Sequence, residues 1–376
     1  MVKNGCGNMS DGFCSAPWTS LFIDTDGSVK PCCASKFPLG NINNQSINNI
    51  LNGNVLSGVK KELLEGKKPE HCQYCYESER VSGTSTRLYF NENAPISDPS
   101  LEIFQLKQID IRWSNHCNLR CLYCAPHSSS SIAEFYGIKE KLSNKQWQRT
   151  ILDFIKSNVL TIEHVFLVGG EPLLLKENNE LLDIITDQHI EVITNLSLVA
   201  ENNTIFKKLL KKDNVHFNIS LEQIGDKFQY VRNNAKWNTV MRNIEILKEN
   251  RKSFSFHMVY CLYSALDLYT VLKELCEISN VIINPIFGLN YLDVNNHKQE
   301  IKDICLHEID KILKDTELCQ KLNEQVVTIE SLRETLIQSR DTNLATEFID
   351  SQKGNPDPEG FQRLWPEIWE ILSKDS

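Results

Sequence analysis

Residues 117–124 read Cys117-Asn118-Leu119-Arg120-Cys121-Leu122-Tyr123-Cys124, three thiols in eight positions, spaced by three and then two residues. In the run ahead of them, Ile109, Ile111 and Trp113 alternate onto one face, the period of a strand. The thiols therefore sit on a loop leaving a strand's C-terminal end, where α/β folds place their chemistry. Three cysteines are one short of a closed four-thiolate shell. A [4Fe–4S] cluster held by three thiolates keeps one iron open to another ligand. A structural zinc site would instead need a fourth ligand, for which His116 or His127 is available.

Cys-x3-Cys-x2-Cys with an aromatic residue before the last cysteine resembles the motif of the radical S-adenosylmethionine (radical SAM) superfamily. The resemblance implies that the open iron of a Cys117/Cys121/Cys124 cluster binds the amino and carboxylate groups of S-adenosylmethionine. It implies reduction of that cluster by an external one-electron donor such as flavodoxin or ferredoxin. Cleavage of the sulfonium then gives a 5′-deoxyadenosyl radical, which abstracts hydrogen from substrate.

Upstream lies a second cysteine set. Cys14 is followed after twelve residues by Gly27, after four more by Cys32, and later by Cys72-Gln73-Tyr74-Cys75. Within it, Leu21-Phe22-Ile23 reads as a strand, Asp26-Gly27 as a hairpin turn, and Ser46 as a helix entry. The spacing resembles the first half of a SPASM domain, the truncated form called a twitch domain, which implies one auxiliary [4Fe–4S] cluster on Cys14, Cys32, Cys72 and Cys75. Cys33 rivals Cys32 and Cys6 rivals Cys14 as ligands, and a four-cysteine zinc site is the alternative. In the family this module usually follows the barrel; here it precedes it.

From residue 108 strands and helices alternate. Strands are expected at 108–113, 163–168, 190–194, 215–220, 254–261 and 281–287. A capping box at Ser143 to Gln146 opens one intervening helix, and Val240, Ile244 and Leu247 stripe another. Six βα units imply a parallel sheet with right-handed crossovers. The expected fold is thus α/β: a partial (β/α)6 TIM-like barrel over 108–295, preceded by a small cysteine-rich α+β twitch-like domain over 1–80 and a linker over 81–107, and followed by a helical region over 296–376. The Gly and Pro residues of 354–358 break that last region before a helix carrying Ile368 and Leu372.

The strand ends supply the other candidates. The second ends in Val168-Gly169-Gly170-Glu171, and by resemblance Gly169, Gly170 and Glu171 bind the methionine amine; a glycine turn into a helix is the plainer reading. By the same resemblance Ser220 contacts the ribose or carboxylate, with Asn195 a weaker candidate, and Tyr123 lies near adenine. The sixth strand's end, Ile283-Asn284-Pro285, is expected to pass the adenine by its backbone. Arg232 matches an arginine that clamps the carboxylate, where its fork would act bidentately; a surface arginine is the alternative. Glu222 replaces a commoner aspartate. His257 and Cys261 share a strand face, and packing is the expected role of both.

Composition bounds these readings. The chain has 376 residues, 41% hydrophobic, with a formal net charge of −9, which disfavours nucleic-acid backbone binding. No apolar run approaches a membrane span, and the first residues lack a signal-peptide core, so a cytoplasmic protein is expected. Nine of its 13 cysteines gather between Cys6 and Cys124, the pattern of metal or iron–sulfur ligation in a reducing compartment. By resemblance, enzymes with such modules oxidise or cross-link residues of a peptide or protein, or act on a small molecule such as an aminosugar or nucleotide. Peptide modification is the first expectation. The short stretch before Cys14 holds no separate leader-binding domain, which keeps the small-molecule reading close behind. A non-catalytic zinc or iron–sulfur protein is the competing class.

Overall fold

The computed structural model describes residues 12–83, 85–101, 103–138, 146–286, 288–339 and 342–374. Cys6 and Ser143 to Lys145 of the capping box lie outside the described residues. The strands, in chain order, are β1 (Ser20–Ile23), β2 (Ser28–Lys30), β3 (Gly40–Asn41), β4 (Gln108–Ile111), β5 (Arg120–Cys121), β6 (His164–Leu167), β7 (His189–Thr194), β8 (Val215–Ser220), β9 (Arg232–Asn233), β10 (Ser253–Tyr260) and β11 (Val281–Pro285). All six expected barrel strands are present. Several stop short of the expected ends because the last residues turn into the loops.

The chain divides into two compact units. The first holds residues 1–116, 140–192 and 204–215, the second 117–139, 193–203 and 216–376. The division runs through the strand series and not at residue 107.

In the first unit β4, β6 and β7 pair in parallel, Ile109 opposite Val165 and Val165 opposite Ile190. Their apolar residues alternate inward: Ile109, Ile111 and Trp113 are buried, as are Val165 and Leu167. Trp113 stacks on Trp147 of helix Gln146–Asn158 at 5.7 Å and donates its indole N–H to Asn178 Oδ1 at 2.8 Å. Its polar end is thereby satisfied inside the core.

The other edge of β4 carries the cysteine module. β1 pairs with β4 in parallel, Phe22 opposite Asp110, and β2 returns antiparallel to β1. The hairpin turns where expected: Gly27 sits at φ +80°, a region glycine enters without steric cost. A parallel pair needs a crossover between its strands. Here that crossover is the module itself, residues 24–107.

The expected linker over 81–107 is a correction. It contains helix Thr86–Asn93, opened by Ser85, whose hydroxyl accepts from Leu88 N. Phe90 and Ala94 are buried in one cluster with Phe13, Cys14, Trp18, Val59 and Leu63. Arg87 is buried too. It donates to Glu79 Oε1 at 2.8 Å and to the Phe13 carbonyl at 2.7 Å. The Gly, Ser and Pro content hid an amphipathic segment that packs beside Cys14.

In the second unit β10 pairs in parallel with β8 and β11, Phe256 lying opposite Ile219 and Val281. Helix Trp237–Glu249 buries Val240, Ile244 and Leu247 as its stripe requires. Beyond β11 the chain is helical. Phe348, Phe361 and Trp365 of its later helices gather with Tyr263 into an aromatic cluster, Phe348 and Phe361 meeting at 4.8 Å.

Removing Arg87 would strand Glu79 in a half-buried site. Arg87→Ala should cost about 3–5 kcal/mol of unfolding free energy, read by urea denaturation, while an exposed lysine such as Lys61 should cost almost nothing.

Candidate metal centres and cofactor site

Each thiol of the triad loop is held by backbone. β5 pairs antiparallel with β9, so Cys121 lies opposite Arg232, and Leu122 N donates to Val231 O at 2.9 Å. Cys117 N donates to Ser130 Oγ at 3.2 Å, and Cys124 N to Cys121 O at 3.0 Å. Cys117 is buried, Cys121 and Cys124 half-buried. Burial pushes the Cys121 thiol well above its ordinary range and the Cys124 thiol up to about 11; charge on Cys117 or Cys124 would raise Cys121 further, and charge on Cys117 would raise Cys124. The three sulfurs thus share one desolvated neighbourhood, which favours neutral thiols until a metal displaces the protons.

Two N–H donors face those sulfurs. Arg232 Nη1 approaches Cys121 Sγ at 3.9 Å, and Asn195 Nδ2 approaches Cys117 Sγ at 3.9 Å. The bidentate clamp expected of Arg232 is made, but with a different carboxylate: Nε and Nη2 donate to the two oxygens of Glu222 at 2.6 and 2.8 Å. Side-chain exposure is 6% for Arg232 and 1% for Glu222, so a surface arginine is excluded. Glu222, left without a role in the sequence, is the partner. Tyr123 lies with its ring 5.5 Å from the Arg232 guanidinium, within the loop's own packing. Ser220 ends β8 opposite His257. Cys261 is fully buried and caps a short helix, which agrees with a packing role.

In the first unit, Gly169 and Gly170 follow β6. A Cβ on Gly170 would lie 2.3 Å from Asn115 O and 2.4 Å from His116 O. Gly169 sits at φ +128°. The glycines therefore let this turn press against the backbone after β4, which reports that strand's course toward Cys117. Glu171 is 0% exposed, and its carboxylate accepts from Leu173 N at 3.1 Å. It caps its own turn.

The upstream cysteines also converge. Ionisation of Cys32 is opposed by Cys33, Cys14, Cys75 and Cys72, and that of Cys14 by Cys72 and Cys75. Desolvation is the larger cause for both. Cys14 and Cys75 are buried and Cys32 half-buried against the Phe13/Trp18 cluster, whereas Cys33 is exposed. Four thiols in mutual electrostatic range suit a cubane with every iron ligated.

One feature escaped the sequence reading. The residues of β4 that alternate with the apolar ones, together with the residue after it, are Gln108, Asp110 and Arg112. Burial, aided by Asp24, pushes the Asp110 carboxyl up from 3.8 to about 6 against the opposing pull of Arg112. Asp110 and Arg112 are also the charges that act on the Cys33 thiol. The alternation was visible, but only its apolar half was used.

Comparison with known proteins agrees with this geometry. The model of the radical SAM superfamily matches residues 111–273, and that of the SPASM iron–sulfur cluster-binding domain matches residues 14–76. The chain belongs to the radical SAM superfamily of enzymes and carries a SPASM-type cluster-binding domain ahead of the radical SAM domain. Its fold is accordingly α/β with a central parallel sheet, in keeping with a partial TIM-like barrel, and its cofactors are S-adenosylmethionine and [4Fe–4S] clusters.

Among curated relatives, a GTP 3′,8-cyclase of Clostridium botulinum (strain Okra / Type B1) is 28% identical over 148 residues, 38% of this chain and 43% of that protein. A GTP 3′,8-cyclase of Synechocystis is 28% identical over 153 residues, 38% of this chain and 42% of that one. The chain thus spans less than half the length of these relatives. Streptococcus suis SuiB bound to precursor peptide SuiA is a similar solved structure, with 18% identity and TM-score 0.40 over 70% of this chain and 60% of that one. No helix among the described residues is long and apolar enough to cross a membrane.

Asp110 binds its proton more tightly folded than unfolded, so its ionisation weakens the fold as pH rises from about 4 to about 6. Asp110→Asn should remove that slope and leave the protein about 3 kcal/mol more stable at pH 7 than at present, measured by denaturant unfolding across pH 4–8.

Proposed function

We propose that this chain is a radical SAM enzyme that oxidatively modifies a residue of a peptide or protein substrate. In this reading Cys117, Cys121 and Cys124 ligate the cluster that binds S-adenosylmethionine, and Cys14, Cys32, Cys72 and Cys75 ligate the auxiliary cluster. By resemblance, Gly169, Gly170, Glu171, Asn195, Ser220, Arg232 and Tyr123 are the candidates for binding S-adenosylmethionine. The partners are the substrate and a one-electron donor such as flavodoxin or ferredoxin. When bound, the cofactors supply the radical that takes hydrogen from substrate and an acceptor for the electron left behind.

The observation that carries the oxidative part is that Asp110 of β4 and Arg112 just beyond it lie within electrostatic range of Cys33, next to the auxiliary thiols. Oxidising a carbon radical to a double bond releases a proton as well as an electron. Asp110, unprotonated above about pH 6, is suited to take that proton beside the thiols suited to hold the electron acceptor. Arg112 places a positive charge in the same row for an anionic or carbonyl group of the substrate.

A second reading, action on a nucleotide or another small molecule such as an aminosugar, has one observation in its favour. Seven curated relatives matching this chain are GTP 3′,8-cyclases. The matched share is too small to carry their substrate across.

Anaerobic reconstitution should give about eight irons per chain. Replacing Cys117, Cys121 and Cys124 by Ala should stop release of 5′-deoxyadenosine from S-adenosylmethionine and dithionite. Replacing Cys72 and Cys75 should remove about half the iron and leave that release in place. Full iron in the second variant would refute the auxiliary site.

The substrate class is read by deuterium. A per-deuterated peptide substrate should pass deuterium into 5′-deoxyadenosine, and deuterated GTP should not. Transfer from GTP alone would establish the second reading. Asp110→Asn should lower product formation by about 10²-fold or more while uncoupled 5′-deoxyadenosine release persists.

A further inference from the structure

Arg232 and Asn195 are aimed at sulfur, and both are locked in that aim. Two nitrogens of the Arg232 guanidinium, Nε and Nη2, are held by Glu222, and its backbone in β9 is paired to β5. What remains is Nη1, 3.9 Å from Cys121 Sγ. Asn195 is oriented by its oxygen, which accepts from Ser197 N at 2.9 Å and Ser197 Oγ at 2.7 Å. Its amide nitrogen must then face the other way, toward Asn118 Oδ1 at 3.2 Å and Cys117 Sγ at 3.9 Å. Asn118 closes the ring by donating to Ser197 Oγ at 2.8 Å. These sulfurs belong to free thiols and stand in for thiolate ligands.

We propose that Arg232 and Asn195 are positioning residues that raise the reduction potential of the S-adenosylmethionine-binding cluster by donating hydrogen bonds to Cys121 and Cys117, and that Glu222 offsets part of that rise. The proposal rests on the reading that Cys117, Cys121 and Cys124 hold that cluster. Donors to cluster sulfurs stabilise the reduced form, which carries one more negative charge than the oxidised form, and so move the potential upward. The effect is large where solvent is excluded, as it is around the Arg232–Glu222 pair. Glu222 acts in the opposite sense, because its buried charge opposes the arriving electron. The pair therefore lets one arginine both hold the loop and deliver a reduced share of its charge to the sulfur.

The test is an EPR-monitored redox titration of the reconstituted full chain without S-adenosylmethionine, following the signal that changes when S-adenosylmethionine is added afterwards. Arg232→Gln and Asn195→Leu should each shift the midpoint to lower potential, and Glu222→Gln should shift it to higher potential, with wild-type iron content in all three. Opposite shifts are not what a loosened loop produces; loosening loses iron. Unchanged midpoints in Arg232→Gln and Asn195→Leu at full iron would overturn the proposal, as would a shift in Glu222→Gln of the same sign as Arg232→Gln. Should the Glu222 variant not fold, the first two still decide. A midpoint unchanged in Arg232→Gln alongside weakened S-adenosylmethionine binding would also overturn the proposed action on sulfur, placing the arginine on the cofactor's carboxylate instead. Failure of the underlying reading looks different. There the S-adenosylmethionine-responsive signal would survive Cys117→Ala, or be missing from wild type.

Discussion

A guanidinium buried between a carboxylate and a thiol sulfur is the constraint around which the triad loop is arranged. Arg232 and Glu222 are both nearly inaccessible, and both oxygens of the carboxylate are used. Such a pair is a weak source of stability, because desolvating two ions costs about what their attraction returns. Its worth lies in geometry. The same arginine is the register partner of Cys121, so the ion pair fixes β9, β9 fixes β5, and β5 carries the middle cysteine of the three. A loop left to its own backbone would have no reason to hold three thiols in one desolvated neighbourhood, where burial and the neighbouring thiols raise the cost of ionising Cys121 and Cys124. The placement of the cysteines is thus enforced from the far side of the chain, 111 residues away in sequence.

The strands and the cysteine triad were legible because they obey short rules: period two, and a fixed spacing of thiols. The cysteine module was legible for the same reason. Arg232 was half legible. A bidentate role was expected of its fork, and the structure turns that fork on Glu222, which was seen only as a departure from a commoner residue. Nothing within a ten-residue window says that the helix Gly225–Val231 brings residues 222 and 232 together. Asp110 and Arg112 were passed over for a different reason. Ile109 and Ile111 explain the strand, so the intervening charges were given no role, and the pairing of β1 against β4 covers them only in part. The stretch over 81–107 misled in the opposite direction. Its turn-forming residues are real, but Arg87 and Phe90 lie three apart on one helical face, and that face is buried.

The position of the SPASM-type module ahead of the radical SAM domain looks, along the chain, like a rearrangement of the family's usual order. The pairing of β1 with β4 shows what makes it physically unremarked by the fold. Parallel neighbours oblige the chain to leave the sheet and return, and any folded segment long enough can serve as that excursion. Cys14 precedes β1, Cys32 follows β2, and Cys72 and Cys75 open the helix that leads back toward β4. The module is therefore stitched to the sheet edge at both ends: by β1, and by the run into Gln108, where Gln105 N and Lys107 N donate to Trp18 O and Thr19 O. Anchored in this way, the auxiliary thiols have their distance to Asp110 of β4 set by sheet geometry. A flexible tether could not set it. If the electron and the proton of one oxidation leave by Cys33's neighbours and Asp110 respectively, their separation is fixed by the register of Phe22 against Asp110, a quantity that sliding β1 by even one residue would change together with the burial of every side chain on the strand.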